Sequence, residues 1–251
     1  DPLLVRAGRA MEPTSRALHI FEELRPAMDV ISAAVSRAKA FEPETSCNIF
    51  RLGLSDDAEF GLFPALLARL QQDAPNITVV VRRANFLLMP ALLSSGEITV
   101  GVSYTTDLPA NAKRRKLRDI GVKVLRGDDR PGPLTLDEYC SRPHVMVSFS
   151  GDLNGAIDLD LERIERRRRV VLAVPQFGSL RALLRNTEMI ATVPDYAACA
   201  LVEDSCLRAE DPPLDIKPAE LSLVWSAAHD NDPAERWLRE RMVEYMSAPL
   251  P

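Results

Sequence analysis

Asp56, Asp57 and Glu59 place three carboxylates within one helical turn. Neighbouring carboxylates can divide general-acid and general-base roles when their surroundings drive their pKa values apart. These three, however, open a helical stretch behind Ser55, where free backbone N–H groups favour negative charge without any chemistry. The four cysteines, Cys47, Cys140, Cys199 and Cys206, include no CxxC pair, and His19, His144 and His229 are far apart. Tetrahedral zinc draws on closely spaced ligand pairs, so no metal site is expected. Cys199 and Cys206 form a candidate redox pair, but buried cysteines more often act as small hydrophobes. There is no Gly-rich phosphate loop and no G-x-S-x-G elbow, and no histidine is placed by motif beside a nucleophile. No catalytic residue is assigned, no cofactor is expected, and the pattern argues against an enzyme.

Other polar and aromatic residues recur at the ends of strand-like segments. Ser55 follows FRLGL, Asn85 and Phe86 follow ITVVVRR, and Ser103 and Tyr104 end ITVGVSY. Ser148 and Ser150 end HVMVSFS, and Gln176 and Phe177 follow RRVVLAVP. In open α/β sheets the carboxyl ends of strands are where ligands bind. Plain helix capping accounts for the serines and Asn85 equally well, and core packing is the simpler role for any one Phe.

Strands and helices alternate on both sides of a break at GDDRPGP, which predicts two small α/β units with parallel sheets. Before them, residues 13 to about 40 have helical spacing. Leu18, Phe21, Leu24, Met28, Ile31 and Val35 form one apolar stripe, which Pro26 is expected to bend or interrupt. FEPETS then acts as a linker. A stripe with no second helix beside it needs a partner, either the rest of the fold or another copy of the chain. The net charge of -5 argues against a surface built wholly for nucleic acid. The basic runs KRRK at 113–116 and RRRR at 166–169 have acidic neighbours, which points to solvated faces. With no apolar run long enough to span a bilayer and no export signal, the expected location is the cytoplasm, away from membranes.

Several stretches together resemble LysR-type transcriptional regulators. VRAGRAMEPTSRALHI is similar to the end of a winged helix-turn-helix running into the linker helix, and FRLGLSDDAEFGLFPALLARLQQDAPNITVVV to the opening of the first regulatory subdomain. PHVMVSFSGDLNGAID with RRVVLAVPQFGSLRALLRNTEMIATVP resembles the second subdomain, and LVWSAAHDNDPAERWLRERM the crossing strand and final helix. The likeness is greatest to the branch that senses aromatic acids and related small molecules. One departure is Thr99, where the family usually carries an acid.

The resemblance implies two Rossmann-like subdomains of the type II periplasmic-binding-protein kind, joined by two crossing strands and preceded by a long linker helix. The implied divisions are a wing remnant at 1–12, a linker and dimerisation helix at 13–45, subdomain I at 46–124 and 226–251, and subdomain II at 125–225. Positions matching Ser55, Asn85, Gln176 and Phe177 would line the effector cleft, and Arg6 and Arg9 would lie along a DNA backbone. The implied partners are an aromatic or carboxylate effector, promoter DNA through a further N-terminal domain, RNA polymerase, and sister copies in a homodimer or homotetramer. A periplasmic-type solute-binding protein shares the two-lobed fold and is the alternative; the linker helix with its unmatched stripe stands against it.

Overall fold

The computed structural model describes residues 3–7, 10–36, 41–104 and 107–249. A hairpin of β1 (Leu4–Ala7) and β2 (Ala10–Pro13) leads into α1 (Ser15–Ser36). The first body begins with β3 (Ile49–Leu54), α2 (Asp56–Gly61), α3 (Phe63–Asp73), β4 (Thr78–Arg83), α4 (Met89–Ser95), β5 (Val100–Tyr104) and β6 (Ala112–Ile120). The second comprises β7 (Val122–Arg126), α5 (Leu136–Ser141), β8 (Pro143–Val147), α6 (Ala156–Arg163), β9 (Arg169–Val174), α7 (Leu180–Leu184), β10 (Ile190–Pro194), α8 (Asp195–Val202) and β11 (Arg208–Glu210). The chain then returns to the first body through β12 (Ala219–Ser226) and α9 (Pro233–Met246).

Each body is built on a five-stranded sheet, ordered β4-β3-β5-β12-β6 in lobe I and β11-β7-β10-β8-β9 in lobe II. In lobe I, β3 pairs parallel with both β4 and β5, and β12 runs antiparallel between β5 and β6. In lobe II, β8 pairs parallel with β9 and β10, while β7 is antiparallel to β10. Apolar alternation builds β3: Phe50, Leu52 and Leu54 are buried, whereas Ile49 and Arg51 face out. The sheets exchange at Gly121, the single residue between β6 and β7, and again between β11 and β12. Both exchanges come a few residues before the divisions expected near 124 and 225. Val122–Arg126 run between β11 and β10 in the second sheet, and Ala219–Ser226 run between β5 and β6 in the first.

Helix α1 corrects two expectations. It begins at Ser15, because Pro13 ends β2 and the Thr14 hydroxyl accepts from the backbone N–H of Ala17 as its cap. Pro26 lies inside an uninterrupted 22-residue helix. Strand β6 and helix α6 are additions to the alternation that the sequence predicts. The KRRK run sits on β6 at the sheet edge, with Lys113 paired to Asp230, Arg114 to Glu220 and Lys116 to Asp119. Charges along an edge discourage pairing with another sheet. The RRRR run differs from expectation at Arg168, whose side chain is only 3% exposed because it turns inward beside β9 onto Asp158.

Candidate functional site

The carboxyl ends of β3, β4 and β5 in lobe I face those of β8, β9 and β10 in lobe II. Between them lies a cavity of about 420 Å³. Its walls are largely apolar: Phe86 and Tyr104 from lobe I, and Met146, Val147, Phe149 and Phe177 from lobe II. Phe86 and Tyr104 meet edge to face with ring centres 6.4 Å apart.

Six of the nine expected residues line this cavity, namely Ser55, Asn85, Phe86, Ser103, Tyr104 and Phe177. Ser148, Ser150 and Gln176 do not. Val147 and Phe149 line the cavity on either side of Ser148, and Pro175 and Phe177 do so on either side of extended Gln176. The N–H of Ser148 donates to Val174 O as a last rung of the sheet, and Ser150 donates its hydroxyl to Asp152.

Two polar atoms at the wall have no partner. Ser55 is 8% exposed, and its Oγ is buried without a hydrogen bond. Asn85 uses Oδ1 to accept from the N–H groups of Leu87 (3.0 Å) and Leu88 (2.9 Å), leaving Nδ2 buried and unpaired.

The charged side chains at the wall are already engaged. Arg168 grips Asp158 through two bonds, Nε–Oδ1 at 2.9 Å and Nη2–Oδ2 at 2.8 Å. Burial raises the Asp158 carboxyl, but the bonds from Arg168 outweigh it and hold the group below its ordinary value. Arg83 reaches from lobe I to donate to Pro175 O at 2.6 Å and lies 4.7 Å over the Phe149 ring. Asp56 accepts from the N–H of Phe177 at 2.8 Å, and Asp57 accepts from the Tyr196 hydroxyl. Burial and the Asp57 charge hold that phenol well above its usual range.

The acids that open α2 are thus contacts between lobes, a role their spacing alone does not reveal. Gly61, at the end of the same helix, allows the close approach, since a Cβ there would lie 2.8 Å from Tyr196 O. Arg6 is exposed on the N-terminal hairpin; Arg9 lies outside the described residues, as does the side chain of Val35. Among the described residues no group of three or more His, Cys, Asp or Glu could hold a metal ion. No described helix is long and apolar enough to cross a membrane.

Residues 44–247 match the family model described as the LysR substrate binding domain. This chain belongs to the LysR family. It is 33% identical to the HTH-type transcriptional activator NahR of Pseudomonas putida over 97% of its own length and 82% of that protein. It is 30% identical to NagR of a Ralstonia species, covering 98% of this chain and 83% of the relative. Among solved structures, the regulatory domain of MexT, a transcriptional activator in Pseudomonas aeruginosa, superposes with a TM-score of 0.75 at 62% identity. That match covers 78% of this chain and 99% of the other. This LysR-family chain is accordingly the effector-sensing region of a transcription regulator, with the two-subdomain fold that the resemblance implied.

Proposed function

We propose that the interlobe cavity is the effector site and that it takes a planar, uncharged aromatic molecule carrying one hydrogen-bond acceptor. The observation that carries this is the contrast at the wall. Each ionised side chain already has a partner, while Ser55 Oγ and Asn85 Nδ2 are buried with none. A buried polar group without a partner costs about 1–3 kcal/mol. A ligand carbonyl placed between these two donors would recover that cost, while the aromatic walls take up the ring. A carboxylate would find no free cation at that spot.

Occupancy would change how firmly the lobes hold each other through Asp56, Asp57 and Arg83. An effector can shift such an equilibrium only by its difference in affinity for the two states. The change would be read out through α1, where Leu18, Phe21, Leu24, Met28 and Ile31 are each more than half exposed. A stripe of that kind needs a sister helix, so the working form is a dimer or a tetramer of dimers. The DNA contact lies in a head preceding α1, with the exposed Arg6 at its edge. The site has no catalytic role in this scheme.

The test is a thermal-shift comparison of benzamide and acetophenone against benzoate and salicylate. A ligand at 100 times its dissociation constant adds about 2.7 kcal/mol of stability. The neutral compounds should raise the melting temperature, and Ser55→Ala with Asn85→Ala should abolish the rise. A larger shift from benzoate than from benzamide would overturn the assignment of an uncharged ligand.

A further inference from the structure

We infer that α4 carries the state of the cavity to α1, and that Arg25 is the positioning residue that receives it; this rests on the cavity being the effector site. The two ends of α4 touch different things. Just before its start, Asn85 lines the cavity and uses Oδ1 to hold the turn at Leu87 and Leu88 that leads into the helix, while its buried Nδ2 has no partner. Phe86, in the same turn, is part of the cavity wall. A ligand that engages Nδ2 therefore pulls on the side chain that holds the turn entering the helix.

The other end lies against α1. Gly96 closes α4 with a left-handed φ of 70°, and a Cβ built there would come within 3.0 Å of Arg25 Nη2. Arg25 and Ser94 line a groove of about 540 Å³ between α1 and lobe I, together with Glu22, Asp29 and Asn111. A guanidinium near the C-terminal end of a helix is held favourably by the negative end of its dipole.

Between its ends α4 is stiff and seated. Its seven residues span about 10 Å. Met89 is fully buried in its first turn and Leu93 in its last, and both pack with Ala84, Ile98 and Val224. The Met89 sulfur sits over Gly101 so closely that a Cβ there would be 2.2 Å away. That seat allows a tilt about Met89 more readily than a slide. Helix α1 also rests on the turn at Ala227–His229, which Arg239 holds through His229 O at 3.0 Å and Asp230 O at 2.7 Å. That turn does not border the cavity, so it serves as a fixed support while α4 moves.

Hydrogen exchange of residues 15–36 in the full chain, with benzamide as the probe, tests the inference. Coupling of the usual size corresponds to about a fivefold or larger change. Benzamide should raise the melting temperature of wild type and of Arg25→Gln alike, because Arg25 lies outside the cavity. It should change exchange in α1 by about fivefold in wild type, and by less than half as much in Arg25→Gln. A second arm needs no ligand: Asn85→Asp keeps the acceptor that holds Leu87 and Leu88 but replaces the unpaired amide nitrogen, and should change α1 exchange only when Arg25 is present. If benzamide produces no thermal shift, the ligand assignment fails and this second arm decides. Thermal shifts in both proteins with equal α1 responses, or with none in wild type, would overturn the lever, as would an Asn85→Asp effect indifferent to Arg25.

Discussion

Glu235 in lobe I and His144 in lobe II are both buried ionisable groups, and they resist charge in opposite directions. Glu235 is 8% exposed at the start of α9, and its Oε2 has no partner. Burial pushes its carboxyl up to about 7, offset in part by a hydrogen bond from Thr99 and by Arg239, while Asp232 adds to the rise. His144 is fully buried on β8, and burial drives its pKa down to about 4 despite the 2.7 Å contact of Nε2 with Tyr139 O. Around it, lobe II gives its buried arginines counter-ions. Arg168 has Asp158, and Arg142 and Arg126 share Asp128, whose carboxyl those arginines hold low against the effect of burial. Lobe I therefore tolerates alkali poorly and lobe II tolerates acid poorly. The cleft joins two bodies whose stabilities move apart as pH leaves neutrality.

The largest effect on this contrast comes from taking a counter-ion away in lobe II. Asp158→Ala leaves Arg168 buried beside neutral neighbours, and breaking such a pair costs about 3–5 kcal/mol. Chemical denaturation at pH 7 should show that loss. A cost below about 1 kcal/mol would mean that Arg168 finds water through the cavity.

In lobe I the sign follows from the raised carboxyl. The folded state binds the Glu235 proton more tightly than the unfolded chain does. Its contribution is therefore fully present below about 4.5 and is lost as pH rises through about 7. The loss amounts to about 3 kcal/mol. Glu235→Gln should stabilise the protein at pH 8 and leave it unchanged at pH 4, as measured by melting temperature across that range. A variant that melts lower at pH 8 would instead identify a charged Glu235 engaged with Arg239.

His144 supplies an opposing limb of similar size, about 3 kcal/mol. Its pKa is depressed, so its contribution is present above about 6.5 and disappears as pH falls through about 4. An NMR titration should find one imidazole still neutral at pH 5. Titration of all three histidines near 6.5 would remove the acid limb.

Much of this architecture was legible because apolar period and secondary structure agree: alternation marks β3, and three-four spacing marks the stripe of α1. What escaped had no such agreement. Strand β6 reads AKRRKLRDI, six of its nine residues charged, because an edge strand with a solvated face needs no apolar period. Helix α6 follows a Gly/Asn/Asp loop and buries Leu161 as its one core residue, too little to show as a stripe. In the cavity, residue type pointed to Ser148, Ser150 and Gln176, yet their neighbours Val147, Phe149 and Pro175 line the wall, beside Phe177 as expected. Asp56 and Asp57 looked complete as dipole partners of their own helix, and contacts made 121 and 139 residues away leave no trace in local spacing.

The smallest change is also the one that separates the two lobes most cleanly. Tyr196→Phe removes the hydroxyl that donates to Asp57 and keeps the ring packed in lobe II. Asp57 is half-buried and can turn to water, so the cost should be about 1 kcal/mol. That cost falls on the contact between lobes and not on either core. Both tryptophans, Trp225 and Trp237, belong to lobe I, so their fluorescence follows that lobe alone, while hydrogen exchange in β8 and β10 follows the other. In wild type the two probes should report one transition at pH 7. In Tyr196→Phe they should part, with lobe I melting first at pH 8 and lobe II first at pH 5. Coincident transitions at both pH values would mean that Asp56, Arg83 and the crossing strands suffice to bind the lobes into one cooperative unit, and that the Tyr196–Asp57 bond only trims their fit.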